Sequence, residues 1–141
     1  GGDDTSDTIT FTIAVKPIND APTLVNIAKN GAAGESITLL LADFTAAFSD
    51  VDDDDLMLMS IATVPVDGVL LLNGALAPVG VGLRLTAGDV LTFVPDSGWG
   101  GSESFDWNAS DGGMYASANA QVNITIAQPS LRRVYLPLVA R

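Results

Sequence analysis

The chain has 141 residues, the size of one ordinary domain, and its 48% apolar and 16% charged residues suit a packed core rather than a disordered acidic tail. Seventeen Asp plus Glu against six Lys plus Arg leave a net charge of −11, which repels nucleic-acid phosphates and anionic membranes. With no His and no Cys, the usual zinc ligands, thiol nucleophiles, disulfides and commonest general base are missing, and most familiar enzyme designs go with them.

The start, Gly1-Gly2-Asp3-Asp4, lacks the basic and apolar regions of a signal peptide, and no run approaches the roughly 18 apolar residues of a membrane helix. The chain is therefore expected to be soluble as given, as a mature protein or a fragment, with no transmembrane segment. Absence of cysteine fits a reducing cytosol and a large extracellular bacterial protein equally well.

Strict alternation begins at Thr8 to Val15, where Ile9, Phe11, Ile13 and Val15 share one face and Thr10, Thr12 and Ala14 the other. Further strands are expected at Thr23 to Ala28, Ser36 to Leu41, Leu56 to Thr63, Gly68 to Leu72, Val90 to Val94, Ser104 to Ala109 and Ala116 to Ala127. Gly, Pro, Asn and Asp clusters separate them. Asn73-Gly74 predicts a tight hairpin, because both residues tolerate the positive φ of a type I′ turn. Ala42 to Ser49 is too short to stand as an isolated helix and reads as a bulged strand end. The sum is an all-β, Greek-key β-sandwich of about seven strands, of the cadherin or immunoglobulin kind, with an orphan strand before it.

The orphan strand has a counterpart. Ile9-Thr10-Phe11-Thr12-Ile13-Ala14 matches Val122-Asn123-Ile124-Thr125-Ile126-Ala127, an offset of one sandwich domain. The expected organisation is 1–16 as the last strand of a preceding repeat or an assembly strand, 17–22 as a linker, 23–128 as the sandwich and 129–141 as a tail. That tail, holding Arg132, Arg133 and Arg141 around Val134 to Ala140, reads either as an extra strand or as a sorting or docking signal. Residues 8–15 are expected to pair with a neighbouring repeat or an identical subunit, the latter giving a head-to-tail filament.

Topology brings the acidic residues together. If the strand from Thr23 is first in a seven-stranded Greek key, the loops after the second and sixth strands lie at the pole where it begins. Asn19 and Asp20 of the linker, Asp50, Asp52 and Asp54 of the second loop, and Asp111 of the last turn meet there. Carboxylates spaced by two along an irregular loop can address one hard cation, and Ca2+ accepts the all-oxygen set that zinc and copper do not favour. A helix-loop-helix calcium site is excluded, since neither the Gly nor the Glu that it needs after Asp50 is present. Five aspartates within Asp50 to Asp55 also read simply as a solvated acidic loop.

The stretch Ile13-Ala14-Val15-Lys16-Pro17-Ile18-Asn19-Asp20-Ala21-Pro22 resembles the junction of bacterial cadherin-like repeats, V-x-P-V-N-D-A-P. Phe48 to Asp54, Gly68 to Gly74, Leu91 to Asp96, Gly101 to Trp107 and Ser110 to Gly112 are similar to that family's later motifs, in order. The chain departs from them at Asp53, where the family usually has Gly, and at Glu103, where it often has Asp. The resemblance implies a non-catalytic, extracellular or cell-surface bacterial adhesion module, its junction rigidified by calcium. The alternative is an accessory carbohydrate-binding module of a secreted enzyme, for which Trp99, Trp107, Phe93 or Phe105 would have to present a sugar platform to surface glycans. Glu35 and Glu103 are too isolated to form a catalytic pair.

Overall fold

The computed structural model describes residues 6–128, so the readings for the tail and for Gly1 to Thr5 lie outside the described residues. In chain order the elements are β1 (Thr23–Leu24), β2 (Ile27–Gly31), β3 (Ile37–Leu40), α1 (Leu41–Ala46), β4 (Phe48–Ser49), β5 (Leu58–Ile61), β6 (Gly68–Leu72), β7 (Ala75–Leu76), β8 (Val90–Pro95), β9 (Gly101–Ser110) and β10 (Ala120–Ile126). One four-stranded sheet runs β2-β10-β9-β5, the other β3-β8-β6-β7, and β1 pairs β4 in a small third ladder. Every pairing is antiparallel except β10 with β2. This is the expected Greek-key sandwich.

The period-two patterns place the core. On β10, Ala120, Val122, Ile124 and Ile126 are buried while Gln121, Asn123 and Thr125 face solvent, and β9 buries Phe105, Trp107 and Ala109 in the same way. Phe44 meets Trp107 edge to face with ring centroids 5.0 Å apart, and Trp99 packs edge-on against Phe93 at 6.2 Å. The Asn73-Gly74 turn carries φ of 52° and 84°, closes Leu72 against Ala75, and is clamped by Asn73 Nδ2 donating to Asp89 Oδ1.

Two expectations at the local level are corrected. The strand Thr23 to Ala28 is broken at Val25-Asn26, because its first half pairs with β4 and its second half crosses to the other sheet beside β10. The break is held by Val25 N–H donating to the Ala47 carbonyl and by Asn26 Oδ1 accepting from Gln121 N–H. The stretch Ala42 to Ser49 is α1 followed by β4, not a bulged strand end. A six-residue helix holds here because Phe44 is fully buried, Asp43 Oδ2 accepts the Leu40 N–H, and Lys29 Nζ lies 2.7 Å from Asp43 Oδ1. Residues 8–15 form no ladder within this chain, and Ile9, Phe11, Ile13 and Val15 are 71–82% exposed; β10 lies between β2 and β9, so this sandwich has no place for them.

Candidate metal centre

The core positions one acidic pole. Phe48 packs against the core at the start of β4, Met57 N–H donates to the Ser110 carbonyl, and between these anchors Asp50 to Leu56 arch over the end of the sandwich. Asp111 follows directly on β9, and Pro22, fully buried, fixes the linker where it meets β1.

Hydrogen bonds knit the three segments. Asp52 N–H donates to Asp50 Oδ1 at 2.8 Å, and Asp20 N–H donates to Asp52 Oδ2 at 2.7 Å. Asn19 Nδ2 donates to Asp111 Oδ2 at 2.9 Å, while Asp111 Oδ1 accepts from the N–H groups of Gly113 and Met114. The linker is thus tied to both loops.

The six sequence-predicted residues divide into two roles. Asp50, Asp52 and Asp54 each place a carboxylate oxygen within 4.8 Å of the others. Asp54 borders two cavities: one of about 310 Å³ shared with Asp50, Asp53 and Asp55, and one of about 370 Å³ shared with Pro17, Asn19 and Asp52. Asp111 is buried and both of its oxygens accept hydrogen bonds, so it pins Asn19 and the last turn. Asp20 meets the triad through its backbone N–H.

The electrostatics separate the same two groups. Asp111 is held below the usual carboxylate range by the Met114 N–H and then by the Asn19 amide, against the opposing effect of burial. Asp54 is pushed up, first by lost solvation and then by the charges of Asp50, Asp111, Asp52 and Asp55. Asp50 Oδ2 is buried without a hydrogen-bond partner, and among the described residues the only other such buried side-chain atom is the donor Trp107 Nε1. A carboxylate oxygen shielded from water, facing other carboxylates and lacking any donor, is complementary to a cation.

The two departures from the cadherin-like pattern take on structural roles that the sequence did not specify. Asp53, standing where a Gly was expected, adopts φ of 60°, the left-handed conformation that glycine takes most easily. Glu103 is an anchor: Oε2 accepts from the N–H groups of Val66 and Asp67 and Oε1 from Ser104, so that burial, which raises its pKa, is outweighed and the carboxylate stays below its usual range. Neither has a signal in spacing alone.

Among solved structures, the chain is similar to an endo-fucoidan hydrolase, MfFcnA4 from glycoside hydrolase family 107, at 19% identity and a TM-score of 0.48, covering 83% of this chain and 15% of that one. A substituted form of the same hydrolase matches at 17% identity and a TM-score of 0.45, over 77% of this chain and 14% of that one. The chain therefore spans a small part of the length of either. No curated protein matches it. A family model described as a bacterial Ig domain matches residues 19–125, from the linker through all but the last residue of β10, and the chain belongs to that family.

Proposed function

We propose that the chain is a non-catalytic structural module of an extracellular or surface-exposed bacterial protein, in which calcium at the Asp50, Asp52 and Asp54 pole locks the linker to the sandwich, as in the cadherin-like repeats. Membership in the bacterial Ig domain family supports a structural role and an extracellular setting. The observation that carries the calcium reading is the buried, donorless Asp50 Oδ2, set among carboxylates and one hydrogen bond away from the Asp52–Asp20 tie. The donor set is all oxygen and irregular, which suits calcium's flexible shell of roughly six to eight ligands.

Calcium then acts as a brace. Asp20 is fixed to Asp52 through its backbone, so an ion that orders Asp52 also orders the linker. The carbohydrate-binding reading is the weaker one, because Trp107 lies wholly in the core and Trp99 is committed to Phe93. The test is a calcium titration followed by thermal melting and by proteolysis on the amino side of Lys16, with a protease that cleaves before Lys, because the Lys16–Pro17 bond resists trypsin. Calcium should raise the melting temperature and slow cleavage of the linker, with half-effect near 10⁻⁴ to 10⁻³ M, roughly the range of extracellular modules. Identical melts and cleavage rates in millimolar calcium and in chelator would exclude the site.

A further inference from the structure

The stub at residues 8–15 repeats the sequence pattern of β10. In β10 the inward residues Val122, Ile124 and Ile126 are 0–1% exposed, and Asn123 and Thr125 point to solvent. It is hydrogen-bonded parallel to β2 on one side and antiparallel to β9 on the other. Shifted by one domain length, the stub places Ile9, Phe11 and Ile13 at those inward positions and Thr10 and Thr12 at the outward ones, and Thr12, Ile13 and Ala14 are identical to Thr125, Ile126 and Ala127. Yet Ile9, Phe11 and Ile13 are 71%, 82% and 81% exposed.

We infer that residues 8–15 are the closing strand of a neighbouring immunoglobulin-like domain, taking there the place that β10 takes here. The partner is an immunoglobulin-like domain that lacks a last strand of its own, and a complete second copy of this one does not qualify. The position in this sandwich is filled on both sides by β10's own ladders. The linker sets how close the partner lies. Asn19 is held on Asp111, and the four residues from Val15 to Asn19 reach at most about 14 Å, so the neighbouring sandwich sits over the acidic pole. This inference goes beyond the calcium reading and does not depend on it.

The experiment is a tandem chain in which residues 17–120 are placed directly before Thr8 of the full protein, so that the first unit has no last strand except the stub. Hydrogen exchange and urea unfolding are then measured. Two folded units are expected, with the amides of residues 9–13 exchanging roughly 100-fold more slowly than in the full protein alone. Phe11→Asp should abolish that protection and unfold the first unit only. Unprotected amides and an unfolded first unit, in this tandem and in its Phe11→Ile form, while the same tandem carrying its own residues 120–127 folds, would overturn the assignment. Protection that grows with protein concentration in the full chain alone would overturn it too, in favour of strand addition between copies.

Discussion

Asp50→Asn should change the stability of the domain in opposite directions with and without calcium. Asn retains an oxygen that can accept the Asp52 N–H, now made by Asp50 Oδ1 at 2.8 Å, and puts an N–H₂ where the donorless Oδ2 lies. That amide can donate to a carboxylate of Asp52 or Asp54, which both offer oxygens within 4.8 Å of Asp50. An unsatisfied buried polar group costs about 1–3 kcal/mol, and the lower end applies because Asp50 itself is only half-buried, so the gain without calcium is about 1 kcal/mol. For a domain of this size that is about 4 °C in melting temperature. The wild-type protein at ten times its calcium Kd should gain about 1.4 kcal/mol through linkage, and the variant nothing. Melting scans of both proteins in chelator and in calcium should therefore cross, the variant ahead in the first and behind in the second. A variant less stable than wild type in chelator, or an equal calcium shift in both, would refute the argument.

Asp54 has a raised pKa in the fold, so its native state holds the proton more tightly than the unfolded chain; without calcium its contribution is favourable in acid and is lost as pH rises through the window above its ordinary 3.8. Calcium requires that proton to leave, so calcium affinity measured by calorimetry should weaken as pH falls into the same window. Asp111 and Glu103 are shifted down, and their contributions, present at neutral pH, should be lost only as pH drops below the ordinary carboxylate range, read as a falling urea midpoint. Glu103→Ala removes the acceptor of three backbone N–H groups and should cost about 2 kcal/mol in urea unfolding, with Glu103→Gln costing about half as much. Asp53→Gly should raise stability in chelator by about 0.5–1 kcal/mol, since φ of 60° suits glycine better; a loss instead would show that the Asp53 side chain holds the loop.

The parts of this structure legible in the sequence are those in which the local pattern and the tertiary environment agree. Alternation marked β10 and β9 because one face of each is buried along nearly its whole length, and Asn73-Gly74 marked the hairpin because its backbone needs positive φ at both residues. The spacing of Asp50, Asp52 and Asp54 and the expected strand order likewise anticipated a pole where the linker meets two loops. Helix α1 was hidden because six residues carry no helical signal of their own; its stability comes from Phe44 reaching the Trp107 ring, a contact 63 residues away along the chain. The break after Leu24 was hidden for a similar reason, since only the pairing of β1 with β4 and of β2 with β10 requires it. The pinning role of Asp111 was hidden because a sequence shows charge but not the N–H groups that bond it.

The pole also explains how the two proposed contacts would reinforce each other. Asp50 Oδ1 and Asp52 Oδ2 are spent on backbone N–H groups, which leaves Asp50 Oδ2, Asp52 Oδ1 and the Asp54 carboxylate to face an ion. Those bonds hold the loop in place beforehand and lower the ordering cost of binding. They also leave the set short of the roughly six to eight oxygens that calcium takes, and water must supply the rest. A sandwich closed by residues 8–15 and seated within about 14 Å of Asn19 would bring its own carbonyls and carboxylates over the open side of the cavity lined by Pro17, Asn19, Asp52 and Asp54. Each oxygen it contributed would tighten the ion. By linkage, an ion bound more tightly in the joined arrangement stabilises that arrangement by the same factor. The stiffness of the joint and its calcium affinity are then one free energy measured at two places.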